Sequence, residues 1–373
     1  MGTISKSIPL FLQVETHFLD RIRSGEFPAG SRLPSNAEIA EQTGVSVFSV
    51  QRAMQNLVRS GLIERRRKSG TFVKGNGIKL ACAGIYLGRD IWHDPEAGFY
   101  IALMRELQQA LAAHNVTIRT WADSRPPSLL STPLVDLQKA VEAREVQALL
   151  VPVCNAPEFQ WLRKLDLPVS FMTDVDVPNR LRFDDRQLFR LAMERLHAQG
   201  CRSVGLISNV GPIEEAKTES GRYEFRNAFL DMAREFCMEV RDSWVRTPAG
   251  VVTLIERFGY EQFHALWQQA ERPRGLIVHP DTAAKGVVVA MLEEGVRVPG
   301  DMRLVLHRNR GVDFLCPLEA AWVETDVAAV AAGMVRQIWT QLANKPVHPI
   351  VVPFTAGEGG SGLVGTKQRS KGV

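Results

Sequence analysis

From Leu80 onward the sequence alternates short apolar runs with longer amphipathic stretches, and that rhythm admits few folds. The apolar runs 80–87, 117–121, 148–153, 169–172, 203–207, 275–278 and 303–306 read as strands. Between them, apolar residues at helical spacing predict helices over 99–114, 134–144, 186–199, 222–236, 260–271 and 283–295. Such alternation means βαβ units, whose parallel strands are covered by helices on both faces. Nearly 300 residues of it predict two lobes with a cleft between them, and small molecules bind such sheets beyond the carboxyl ends of the strands.

The first eighty residues follow a different grammar. A helix is predicted over 9–24, where Leu10, Val14, His17/Phe18 and Arg21/Ile22 follow a helical period and Pro9 suits the first turn. Ser35 with Glu38 three positions on forms a capping box that opens a short helix carrying Ile39 and Ala40. Gly44 ends it. Ser46 caps the next helix, which runs through Val50, Met54, Leu57 and Val58 to Gly61. Two helices joined by a glycine-containing turn make a helix-turn-helix candidate. Two short strands around Arg67-Lys68-Ser69 then form a hairpin, or wing.

Charge supports this division. The whole chain has a formal charge of +4, yet residues 1–80 hold 12 Lys and Arg against 6 Asp and Glu, a net of +6. The wing region 59–74 alone carries Arg59, Arg65, Arg66, Arg67, Lys68 and Lys74 against Glu64. A basic run is often no more than a solvated face. Placed directly after a capped helix-turn-helix, it points to DNA phosphates.

Residues 8–75 resemble the winged helix of the gluconate-repressor (GntR) family of bacterial transcription factors. The resemblance rests on Pro9-Leu10-Phe11, Gly30-Ser31-Arg32-Leu33-Pro34-Ser35, Ile39-Ala40, Gly44-Val45-Ser46, Gly61-Leu62-Ile63 and Gly70-Thr71-Phe72-Val73, in order and without a gap. Three positions where that family usually has arginine hold Ala37, Val47 and Gln51. The resemblance therefore implies DNA binding with an altered operator preference. The expected DNA contacts are Ser35, Ser46, Phe48, Ser49, Gln51 and Arg52 around the recognition helix, and Arg67, Lys68, Ser69, Gly70 and Thr71 in the wing. Gln51 has the geometry for a bidentate contact to adenine. Arg52 reaches either a base or the flank of its own helix. On the helical pattern Phe48 lies away from Val50 and Met54, which predicts exposure.

The rest of the chain resembles the sensor domain of the lactose- and galactose-repressor (LacI/GalR) proteins, which are relatives of periplasmic sugar-binding proteins. The stretch 275–301 carries most of the likeness: an apolar strand, Asp281, Ala284, Gly286, a helix, then Gly295-Val296-Arg297-Val298-Pro299-Gly300-Asp301. The fusion looks like the arabinose-repressor arrangement. The expected fold is an α+β winged helix-turn-helix at 1–75, a linker at 76–80, and an α/β two-lobed periplasmic-binding-protein-like domain with parallel sheets at 81–365. Its lobes would be 81–178 and 179–306 with crossovers after 306, and 366–373 would be a tail. The expected effector contacts are Phe99, Tyr100, Arg222, Trp244 and Asp281. Asp281 is also well suited to cap the helix that follows it. One of Phe99 and Tyr100 is expected to pack inward, Arg222 is alternatively a surface ion-pair partner, and Trp244 is alternatively core.

The sequence holds no GxSxG, P-loop, HExxH or CxxC pattern, so no catalytic or metal-binding role is expected and no cofactor is implied. Five scattered cysteines read as reduced thiols of a cytoplasmic protein. The expected partners are double-stranded operator DNA, a small-molecule effector of carbohydrate type, and a second copy of the chain in a homodimer, with no membrane. The rival readings are an enzyme with a regulatory head and a ligand-independent architectural DNA-binding protein.

Overall fold

The computed structural model describes residues 9–23, 26–27, 30–67, 69–74, 80–154, 156–210, 222–250, 252–343 and 345–358. The linker expected at 76–80 lies outside them except for Leu80, as does the tail.

The head opens with α1 (Leu10–Arg23), followed by β1 (Arg32–Leu33), α2 (Asn36–Thr43), α3 (Val47–Arg59), β2 (Ile63–Arg66) and β3 (Gly70–Val73). The capping box expected at Ser35 and Glu38 is present at the start of α2. The helix period places Val14, Phe18, Ile39, Val50, Met54 and Leu57 in one core. The wing strands pair antiparallel, Ile63 with Val73 through Arg66 with Gly70. The two-residue β1 also pairs with β3, giving the order β1-β3-β2. Such a strand is too short to leave a periodic signal, and the sequence did not reveal it.

The α/β part continues with β4 (Cys82–Leu87), α4 (Gly98–Ala112), β5 (Thr117–Ala122), α5 (Val135–Glu142), β6 (Ala148–Val153), α6 (Ala156–Leu162) and β7 (Val169–Met172). β4 lies between β5 and β6, and β7 pairs with β6, all parallel. After these come β8 (Arg180–Phe183), α7 (Asp185–Ala198), β9 (Val204–Ser208), α8 (Arg222–Glu235), β10 (Val245–Arg246), α9 (Ile255–Trp267), β11 (Gly275–His279) and α10 (Asp281–Glu293). The last elements are β12 (Arg303–Asn309), β13 (Ala321–Thr325), α11 (Val327–Leu342), β14 (Ile350–Val352) and β15 (Phe354–Ala356). A six-stranded sheet runs β10-β9-β11-β12-β13-β15. It is parallel except for β15, which returns antiparallel to β13.

The chain divides into two compact units. One comprises Met1–Arg89, Gln108–Phe171 and Met334–Val347, and the other Asp90–Leu107, Met172–Gly333 and His348–Val373. The head thus groups with β4 to β7. The second unit continues past residue 306 through β12 and β13 to Gly333. In the second unit α9 and α10 pack with almost no gap, because Gly259 faces Ala283 and Gly286 faces Glu256. A Cβ on Gly286 would overlap the Glu256 carbonyl.

Candidate DNA-reading face and effector site

The amphipathic pattern of α3 decides which residues it can present. Val50, Ala53, Met54 and Leu57 are buried, which turns Val47, Phe48 and Gln51 to the opposite side. Phe48 is 77% exposed, a large apolar ring held in water at the start of the helix. Ser46 caps α3: its hydroxyl accepts the Ser49 N–H at 3.3 Å and lies 3.0 Å from the Ser49 hydroxyl. Both hydroxyls therefore sit where the helix presents unpaired N–H groups and its positive end, a favourable place for a phosphate. Ser35 is exposed at the start of α2. Its hydroxyl accepts the Glu38 N–H, and its own N–H donates to the Glu38 carboxylate at 2.7 Å. Those bonds hold the Glu38 carboxyl below its ordinary range. Arg52 turns away from Gln51 and stacks its guanidinium 3.9 Å from the centre of the Phe11 ring on α1. A base contact would require it to leave that ring.

In the wing, Arg66 is engaged from two sides. Its Nε donates to Glu64 at 2.7 Å, and its guanidinium covers the Phe72 ring at 4.6 Å. Arg65, Arg67 and Ser69 are exposed. Among the described residues neither Arg65 nor Arg67 is ion-paired. Lys68 lies outside the described residues. Gly70 has φ +114°, and a Cβ there would run into the Arg32 side chain, so the tight return of the wing requires glycine. Thr71 is half-buried between Leu33 and Arg65 in the sheet.

The second unit gathers polar groups at the carboxyl ends of its parallel strands: Ser208 on β9, His279 on β11, His307 on β12 and Thr325 on β13. Asp281 is 5% exposed and forms the first residue of α10. The cap position belongs to Pro280, after a cis His279–Pro280 bond, so the expectation that Asp281 itself caps the helix is corrected. A carboxylate in the first turn is still favoured by the helix dipole. The Asp281 N–H donates to His307 Nδ1 at 3.1 Å. That bond fixes the tautomer. Nδ1 is an acceptor, the proton is on Nε2, and Nε2 donates to Thr325 Oγ1 at 2.8 Å. Burial pushes the His307 pKa down to about 3, so the ring is neutral. His279 packs against it with ring centres 4.8 Å apart. Burial and the neighbouring ring hold His279 well below its ordinary range too. Its Nδ1 is shielded and has no hydrogen-bond partner among the described residues.

Aromatic contacts extend this cluster. His279 meets Phe225 at 5.2 Å, and both histidines meet Phe354. Phe354 meets Phe183, Phe183 meets Phe99, and Phe99 meets Tyr100. Phe99 is thus joined to the Asp281 region by a continuous run of rings, while Tyr100 touches that run through Phe99. Both are partly buried. Trp244 is not part of the cluster, and its expectation as an effector contact is corrected in favour of the core. It is 2% exposed in the core, its indole N–H donates to the Glu271 carbonyl at 3.1 Å, and Arg241 covers the ring. Arg222 opens α8, and its side chain lies outside the described residues. Sequence reasoning missed His279, Thr325 and Ser208. His279 stands two positions before Asp281, and that spacing was the available signal. Thr325 lies far along the chain and is brought in only by sheet pairing.

Comparison with known proteins agrees with this division. Residues 10–73 match the family described as bacterial regulatory proteins, gntR family, and residues 193–361 match the periplasmic binding protein-like domain. The HTH-type transcriptional repressor NagR of Bacillus subtilis is 37% identical over 78 residues, which cover 21% of this chain and 32% of that protein. The HTH-type transcriptional repressor PurR of Pectobacterium carotovorum is 31% identical over 128 residues, 34% of this chain and 35% of that one. The chain thus spans about a third of the length of these two curated relatives. Among solved structures, a putative transcriptional regulator LacI from Bacillus cereus superposes with a TM-score of 0.61 at 13% identity, covering 76% of this chain and 98% of that one. The regulator CelR in complex with cellobiose gives 0.59 at 16% identity, with 88% and 100% covered. A LacI-family regulator from Lactobacillus casei with bound sucrose gives 0.56 at 19%, with 75% and 99% covered. At these identities the likeness is one of fold, that of a mostly parallel, two-sheet α/β domain.

Proposed function

We propose, from the premise that a gntR-type winged helix is joined here to a periplasmic-binding-protein-like domain, that the chain is a ligand-responsive transcriptional regulator. Its output is repression. The observation that carries this reading is the outer face of α3. A capped helix offers Phe48 and Gln51 to solvent beside a wing whose Arg65 and Arg67 are free to meet phosphate. The recognition helix enters the major groove, where Gln51 reads an adenine edge and Phe48 contacts a thymine methyl. Ser35, Ser46 and Ser49, with the wing from Arg67 to Thr71, hold the backbone, and Arg52 adds a contact where it leaves Phe11. Two copies on a near-palindromic operator read two half-sites.

The effector is a small polar molecule, and a carbohydrate suits the site. A buried carboxylate accepts paired hydroxyl hydrogen bonds, and aromatic rings stack on the apolar face of a sugar. The cellobiose and sucrose complexes of structural neighbours support that class. Asp281 holds the hydroxyls, with Phe99 or Tyr100 against the ring and Arg222 at the start of α8. The cytoplasm is the site of action, and no enzymatic step is involved. No helix among the described residues is long and apolar enough to cross a membrane. Selection of genomic fragments on the full-length protein, followed by a thermal-shift screen against monosaccharides and disaccharides, tests both halves. A recovered consensus and a shifted melting temperature are expected. Random fragments with no consensus would overturn the first half, and a flat screen the second.

A further inference from the structure

A buried carboxylate in the head is not among the proposed DNA contacts. Glu15 on α1 is 2% exposed, yet it carries two partners from opposite directions. Asn56, on the recognition helix α3, donates to Glu15 Oε2 at 2.9 Å. Arg144, beyond the winged helix in the turn between α5 and β6, donates from Nε to Glu15 Oε1 at 3.1 Å. The arrangement at Arg144 is fixed. Its backbone is left-handed, with φ 55°, its guanidinium is also held by Asp166, and its carbonyl accepts from Gln147 at 2.8 Å. Gln147 in turn accepts the N–H groups of Ala81 and Cys82, where the chain enters the α/β part. Around these polar groups Leu19, Leu57 and Leu62 of the head line a pocket together with Leu167 and Pro168.

We propose that Glu15 is a latch that docks the winged helix on the α5–β6 turn and ties the recognition helix to it. A buried carboxylate needs both partners, because losing either leaves an uncompensated group in the interior. A shift of the α5–β6 turn therefore pulls on α1 and, through Asn56, on α3. The docking stands independently of the proposed function. Its consequence, that a change in the sensor part alters how the recognition helix is presented, rests on that reading.

The test is limited trypsin cleavage after Lys74 and Lys79 in the full chain, which measures undocking without any DNA. Arg144→Ala removes the partner outside the head and leaves the head's own core intact. Glu15→Gln keeps an acceptor for Asn56 and removes the charge. Each is expected to raise the cleavage rate about tenfold, and the double variant no further, because one contact is broken in both. Wild-type cleavage rates in Arg144→Ala would overturn the latch. So would additive effects in the double variant, which would mean that the two residues act separately. Loss of operator binding with wild-type cleavage would place the defect in DNA reading and likewise overturn it.

Discussion

Replacing Arg65 and Arg67 together by alanine should flatten the salt dependence of DNA binding by a calculable amount. Both side chains are exposed in the wing, whereas Arg66 is tied to Glu64 and Phe72. Each phosphate contact contributes about −0.9 to the slope of log K against log salt, so two contacts contribute about −1.8. Between 0.05 and 0.2 M salt, a fourfold rise, the wild-type protein should lose about 12-fold more affinity than the double variant. Arg66→Ala should change the slope by less, since that cation is already partly neutralised within the wing. Fluorescence anisotropy on a labelled duplex across five salt concentrations gives both slopes. Random-sequence DNA should show the same difference, because phosphates carry no sequence information. An unchanged slope in the double variant would refute the wing's role, whatever happened to the absolute affinity.

Other outcomes follow from the same structure. Gln51→Ala should cost about 1–3 kcal/mol on the selected operator and little on random DNA, measured by competition binding. Equal weakening on both would assign Gln51 to a phosphate. The neutral His307 makes stability fall in acid: its folded pKa, about 3, lies below the unfolded value near 6.5, so the unfolded chain binds more protons between those limits. Between pH 7 and pH 5 the loss is about 2 kcal/mol for a histidine held neutral in this way. Urea melts of the wild-type protein and His307→Gln should show a smaller acid loss in the variant, and identical pH profiles would contradict the buried neutral ring. Gly286→Ala should lower the melting temperature sharply, since a methyl there overlaps the Glu256 backbone; scanning calorimetry with no shift would mean that α9 and α10 pack more loosely than described.

The head was largely legible in the sequence because its signals are local. The Ser35–Glu38 capping box, the Ser46 cap and the apolar spacing of Val50, Met54 and Leu57 each act within one or two turns, and all appear where the pattern put them. The strands at 148–153 and 169–172 were legible for the same reason, being uninterrupted apolar runs. Helix α9 starts at Ile255, five residues before the expected 260. Its first N–H groups are met by Glu96, a residue 159 positions away that accepts from Ile255 and Glu256. No local motif announces such a cap. β13 to β15 and α11 have no reading in the sequence, β10 is too short to show a period, and β8 is no apolar run because Arg180 and Arg182 interrupt it. In the candidate site, Asp281, just beyond β11, and the Phe99–Tyr100 pair, in the first turn of α4, were visible as residue types. The His307–Thr325 bond depends on pairing between β12 and β13, which only the folded sheet supplies. Trp244 is core and not an effector contact because an aromatic side chain in a sequence does not disclose which way it faces.

We propose that a small molecule held in the second unit governs DNA reading by the head. The most direct test is operator affinity of the full-length protein, by anisotropy, with and without a saturating ligand identified by thermal shift. A ligand that prefers one state should change Kd by at least about tenfold, equivalent to about 1.4 kcal/mol of coupling. Asp281→Asn should abolish that change while keeping the ligand-free Kd. A ligand that raises the melting temperature of the wild-type protein and leaves its operator Kd unchanged would rule out that coupling.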